Sequence, residues 1–229
     1  MERFEPADWA GKGWRMVEAQ HIASTMKLVD SQAEQDILES LLEESKPALP
    51  ASTAGLDYLL STPFRYPTRL LGSRFRSPTD PGVFYAAGSE RTAGAELGYW
   101  RWKFLMDSPS LDRLDPNAHT AFEVSIKAVA IDLQRPPFSA TAAVWTHPTD
   151  YKATQSLAAK ARQSGIEAIL YQSVRDPEPG WCIALLTPKA FAGPKHNPAT
   201  HTWFLSVSRH EVMWRRDREA MTFSTAGRA

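Results

Sequence analysis

The sequence predicts an α+β fold built on a compact, mostly antiparallel sheet with flanking helices. Two observations carry that reading. Short runs rich in β-branched and aromatic residues recur from "GVFYAA" to "EVMWRR", and these runs do not alternate regularly with long helical stretches, as a doubly wound parallel sheet would require. A third observation concerns the N-terminal side. There "VEAQHIASTMKLV" and "QAEQDILESLLEES" space their apolar residues for helices, with Ile37, Leu38, Leu41 and Leu42 in the second. Residues 1–60 are therefore read as a helical N-terminal extension, 61–195 as the central domain, and 196–229 as C-terminal strands and a tail packed on or beside the core.

The elements follow in order. "KPALPASTAG" interrupts the helical pattern with two prolines and a glycine. A strand is predicted at "GVFYAA" and a helix from Ser89, its N-cap, to about Met106. On that helix Ala93, Leu97, Trp100 and Phe104 form the stripe expected to be buried. A strand at "EVSIKAVAIDL" comes next, then a helix at "DYKATQSLAAKARQ" closed by Gly165 at its C-cap. "EAILYQS" and "WCIALL" form a strand pair joined by "VRDPEPG". "HTWFLSVS" and "EVMWRR" supply two further strands before a polar, frayed end.

Composition removes several function classes. At 43% hydrophobic and 23% charged residues the chain is an ordinary folded protein, not a disordered one. Lys plus Arg equals Asp plus Glu at 26 each, so no global positive field draws the chain to nucleic acid or to an anionic membrane, and any anion must be held locally. A single cysteine, Cys182, allows no intramolecular disulfide and points to a cytoplasmic compartment. No apolar run is long enough to span a membrane. Neither a P-loop nor a dinucleotide glycine motif is present. His196 and His201 read as surface histidines without metal-ligand spacing, so no metal is expected. Cys182 reads as a buried, inert thiol, and the aromatic-basic runs "WRWKF" and "MWRR" read as packing.

One stretch resists a purely structural reading: "GSRFRSPTDPGVFYAAGSERTAGAE". Glu96 falls on the shoulder of the helical stripe, and its neighbours one turn away are Thr92, Ala93, Tyr99 and Trp100, none of them basic. That pattern fits a functional carboxylate, and it fits a tertiary ion pair to Arg74 equally well. Arg74 and Arg76 flank Phe75 in a turn-rich segment, while Arg65 and Arg175 lie just outside apolar runs. Several converging guanidinium groups could hold a phosphate or pyrophosphate where no glycine-rich loop does. Tyr85 shares a strand face with Val83 and Ala87, as a core aromatic or as a ring stacking on a ligand.

"TPFRYP", "GSRF", "PGVFYAA", "TAGAELGYWRWKF" and "SGIEAILYQSVRDPEPGWCIALLTPKAF", from Pro63 to Phe191, resemble the successive blocks of the RES domain. That domain is the toxin component of RES–Xre toxin–antitoxin systems. The resemblance implies an ADP-ribosyltransferase-like fold and an activity that degrades NAD+ by phosphorolysis, releasing nicotinamide and ADP-ribose 1''-phosphate. NAD+ is then a substrate, inorganic phosphate a co-substrate, and no cofactor is implied. The resemblance assigns Arg74, Tyr85, Glu96 and Ser173 to the catalytic positions and Arg65, Tyr66 and Arg175 to substrate binding. It also implies an Xre-type antitoxin as partner and a homodimer, with operator DNA left to the antitoxin. Two other readings stay open: a protein ADP-ribosyltransferase using the same site, and a non-catalytic partner-binding module.

Overall fold

The computed structural model describes residues 5–19, 29–66 and 72–226. Among them an eight-stranded sheet runs in the order β1-β2-β5-β4-β3-β6-β7-β8, and all its pairings are antiparallel except β3–β4. The strands are β1 (Ala7–Glu18), β2 (Phe84–Ala87), β3 (Arg113–Asp132), β4 (Ala168–Gln172), β5 (Trp181–Leu185), β6 (Thr200–Ser208), β7 (Glu211–Arg216) and β8 (Glu219–Ser224). The helices are α1 (Gln32–Glu44), α2 (Tyr58–Arg65), α3 (Glu90–Met106), the single turn α4 (Ala142–Trp145) and α5 (Lys152–Gln163). This is the α+β architecture expected, with the Ser89 cap accepting from the Thr92 N–H and Gly165 in the left-handed region at φ +74.

β1 organises the sheet. It pairs along its whole length with β3, from Ala7 with Ala130 to Glu18 with His119. It also touches β2 through one pair, Trp14 with Ala87. Strands β1, β2, β5, β4 and β3 thereby close into a ring whose β1–β2 seam is barely stitched. One core lies on the ring face carrying Phe84, Phe122, Ile126, Ile183 and Leu185, beneath α2. The other lies on the opposite face, where Ala87, Ile131, Ile169, Cys182 and Ala184 meet α3 and α5.

Three expectations are corrected. Residues 7–18 are not part of a helical extension. "ADWAGKGWRMVE" holds two glycines and several charges, which mask its strand period, and Gly13 is needed because a Cβ there would stand 2.9 Å from that of Ala86. The second predicted N-terminal helix is α1, but most of the first lies outside the described residues. The predicted frayed end holds a further strand over Glu219–Ser224, β8, with Phe223 buried. Finally, α3 buries only the first half of the predicted stripe, with Ala93 buried and Leu97 partly so. Trp100 and Phe104 are 49% and 54% exposed, and the helix instead presents Gly94 and Gly98 to β7. There the Gly94 carbonyl accepts from Trp214 Nε1 at 3.1 Å, and a Cβ on Gly98 would come within 2.6 Å of Val212 Cγ1. Close approach of backbone to sheet selects the small face over the bulky one.

Candidate active site

A cavity of about 380 Å³ opens on the α3 side of the ring, beside the β1–β2 seam. Glu96 and Leu97 of α3, Tyr85 of β2, Tyr171 of β4 and Cys182 of β5 contribute to its wall. Three arginines line it as well: Arg15, Arg74 and Arg175.

Each of these side chains is held by a local device. Glu96 sits on the second turn of α3, half-buried, and its Oε1 accepts from Ser173 Oγ at 2.6 Å and from the Val174 N–H at 3.3 Å. Ser173 in turn accepts from the backbone N–H groups of Arg175 and Asp176. Asp176 is tied back to α3 by Thr92 Oγ1 at 2.9 Å and by Arg91 at 3.4 Å. The 173–176 turn and the start of α3 are thus one hydrogen-bonded unit, and the carboxylate is aimed by it.

Arg74 and Phe75 occupy the tip of a tight turn closed by the reciprocal bonds Ser73 N–H to Arg76 O and Arg76 N–H to Ser73 O. Gly72, at φ +71, makes the turn possible, since a Cβ there would lie 2.2 Å from the Arg76 oxygen. Phe75 points inward, fully buried and edge-on to Tyr171. Its burial contributes about 1.5–3 kcal/mol and anchors the turn. Arg74 points the other way, donating through Nη1 to the carbonyls of Trp145 and His147, both at 3.0 Å, with its guanidinium over the Tyr151 ring. Tyr85 is locked by its hydroxyl, which bonds Ser73 Oγ at 2.8 Å and accepts from the Phe75 N–H at 3.0 Å. Burial pushes the phenol above its ordinary range, so it stays protonated. Arg175 lies 3.4 Å above the Tyr99 ring and donates to the Pro148 carbonyl.

Arg15 was not among the sequence candidates. It sits where the seam parts, its Nη1 donating to the Tyr85 carbonyl at 2.8 Å and its guanidinium over the Phe84 ring. Burial lowers it to about 10, which leaves it cationic at neutral pH. The signal available in the sequence was a lone cation inside "WRMV", and it was hidden because the strand itself was not recognised. Among the described residues Arg15, Arg74 and Arg175 form no ion pair with a carboxylate. Their charge is steadied by carbonyls and aromatic faces and left available to a ligand.

The sequence candidates therefore divide. Arg74, Tyr85, Glu96 and Arg175 meet in one cavity. Ser173 does not line it and instead donates to Glu96. Arg65 and Tyr66 are absent from the lining: the Arg65 guanidinium pairs with Glu43 at 2.7 Å and donates to the Pro47 carbonyl, fastening α2 to α1. The alternative ion pair between Arg74 and Glu96 is not formed. Cys182 faces the cavity 3.9 Å from Glu96, and burial first, then that carboxylate, push its thiol well up, so it remains an inert thiol. His201 is more than a surface histidine. Its Nδ1 bonds Glu90 at 2.7 Å and its ring stacks on Trp14, a cavity residue.

Comparison with known proteins gives three findings. The family model described as the RES domain matches residues 49–208. Among solved structures the chain is similar to the crystal structure of the M. tuberculosis MbcT–MbcA toxin–antitoxin complex, at 12% identity and a TM-score of 0.49, covering 96% of this chain and 88% of that one. Among curated protein sequences, none matches. Among the described residues no helix is long and apolar enough to cross a membrane.

Proposed function

Because the chain belongs to the RES domain family, we propose that its cavity binds NAD+ and cleaves the nicotinamide–ribose bond. Phosphate is the acceptor in this reading, and the products are nicotinamide and ADP-ribose 1''-phosphate. The observation that carries the reading is an aimed carboxylate, Glu96, in a cavity with three arginines that have no carboxylate partner among the described residues. It has the polarity that a dianionic dinucleotide with a cationic nicotinamide requires.

The chemistry follows from the charges. As the bond from ribose to nicotinamide breaks, its electron pair goes to the ring, which departs neutral, and positive charge develops on the sugar. A carboxylate beside the ribose is attracted more strongly to that state than to the ground state, which is how binding becomes rate. Ser173 keeps Glu96 in one orientation, so little reorganisation accompanies the charge build-up. No proton must reach the leaving group, consistent with a wall that offers a protonated phenol and an undissociated thiol in place of a general acid of neutral pKa. A phosphate oxygen then forms the new bond to the ribose carbon. Arg74 and Arg175 are the cations disposed to hold that phosphate or the pyrophosphate.

The same reading makes the protein a toxin restrained by an antitoxin of the Xre type, acting in the cytoplasm as a homodimer. The deciding experiment incubates the protein with NAD+, with and without inorganic phosphate, and identifies products by chromatography and mass spectrometry. Phosphate-dependent release of nicotinamide with ADP-ribose 1''-phosphate is the expected outcome. Free ADP-ribose irrespective of phosphate would make the enzyme a hydrolase, label transferred to protein would make it a protein ADP-ribosyltransferase, and intact NAD+ would overturn the reading.

A further inference from the structure

A second cavity, of about 300 Å³, lies on the other face of the ring beneath α2. It shares Arg15 with the first cavity. The reason is topological. β1 and β2 separate beyond their single pair, so the side chain at position 15 stands in the gap and is reached from both faces of the sheet. Its Nε is sheltered from solvent and has no hydrogen-bond partner among the described residues. A buried guanidinium N–H without a partner is costly, and an anion between the two cavities would satisfy it.

We infer that the two cavities are the two lobes of one dinucleotide site, with the pyrophosphate against Arg15 and the adenosine in the second cavity. The inference rests on the NAD+ reading above and extends it to the half of the substrate remote from the reacting bond. The lining suits a nucleoside. Val17 and Leu59 provide apolar walls, the half-exposed Tyr58 ring, with Lys46 Nζ 5.8 Å from its centroid, provides an aromatic wall, Thr62 and Thr120 provide hydroxyls, and Glu18, paired with Arg101, provides a carboxylate able to accept from a ribose. Thr62 Oγ1 already donates to the Tyr58 carbonyl at 2.7 Å, which leaves its lone pairs to accept from a ribose hydroxyl. A ligand with two bulky lobes linked by an anionic bridge matches two cavities that share one cation, whereas a mononucleotide would leave one of them unused. Binding energy from the adenosine lobe would hold the nicotinamide ribose against Glu96 without taking part in the chemistry.

The test compares NAD+ with nicotinamide mononucleotide, which lacks the adenosine lobe, and adds ADP, which lacks the nicotinamide lobe. Thr62→Trp fills the second cavity and Tyr58→Ala removes its aromatic wall. Thr62 lies on the solvent-side shoulder of α2, so the larger side chain need not disturb a core. For both variants we expect KM for NAD+ to rise about tenfold with kcat retained, as loss of one base-stacking contact would give. Turnover of nicotinamide mononucleotide should be unchanged, and ADP affinity measured by calorimetry should fall about tenfold in parallel. Equal effects on NAD+ and nicotinamide mononucleotide in both variants, or no effect on NAD+ and ADP in either, would overturn the inference. ADP binding that Thr62→Trp weakens, in a protein that consumes neither substrate, would support the second lobe while overturning the NAD+-cleavage reading. A protein that consumes NAD+ but whose ADP affinity ignores Thr62→Trp would do the reverse.

Discussion

Arg74 and Arg175 of the cavity and Arg65 at the end of α2 read alike in the sequence and are opposites in the fold. Arg74 is held by two main-chain carbonyls and an aromatic ring, and Arg175 by a carbonyl and the face of Tyr99. None of these groups neutralises a cation. Arg65, by contrast, spends its charge on Glu43 and tethers α2 to α1. The difference teaches that a guanidinium's role is set by whether its partners carry charge. Carbonyls and rings orient an arginine and leave its field intact, whereas a carboxylate consumes it.

That contrast can be broken or sharpened by substitution. The largest effect is expected at the cavity carboxylate: Glu96→Gln should melt like the parent and lose about 10²–10³ in NAD+ turnover. Retained turnover would remove Glu96 from the chemistry. Arg74→Met should cost about 10² in kcat/KM, because the cation that remains available to the anion is lost while the Phe75 anchor of its turn survives. A variant as active as the parent would mean that the anion is bound elsewhere. Ser173→Ala should lower kcat about tenfold with little change in KM, since it frees the Glu96 carboxylate without removing a ligand contact, and Ser173→Thr should recover much of that loss. An effect confined to KM would instead make Ser173 a direct ligand group. Gly98→Ala tests the packing that seats α3: the added methyl meets Val212, and the midpoint of chemical denaturation should fall by the equivalent of about 1–3 kcal/mol while KM is preserved. The smallest effect on turnover is expected at Arg65→Met, which should stay within about twofold of the parent because this side chain lies outside the cavity and pairs with Glu43 of α1. A large catalytic loss there would return Arg65 to the site.

Much of the central fold was legible because its signals are local. Ser89 as a cap, Gly165 as a stop, and the apolar runs at β4 and β5 each declare themselves within a few residues. β1 did not, because a strand carrying Gly11 and Gly13 becomes a strand only through its partners Ile126 and Val124 across the sheet. The buried face of α3 failed for a related reason. Counting bulky residues favours Trp100 and Phe104, but the contact with β7 rewards the residues that let the backbone come near, Gly94 and Gly98.

For the site, the sequence by itself determined the chemistry available: a glutamate with no basic neighbour on its own helix, arginines in turn-rich segments, and a tyrosine on a short strand. Those are properties of residue type and of spacing within one element. Only the tertiary structure decided which of them meet. It brought the 173–176 turn under Glu96, sent Arg65 away to α1, and placed Arg15, more than fifty residues before the "GSRF" turn, in the seam between two strands. The physical reason is that an ion pair or an anion site is a relation between side chains remote in the chain. Its energy depends on distances that only the closed ring of β1, β2, β5, β4 and β3 brings about.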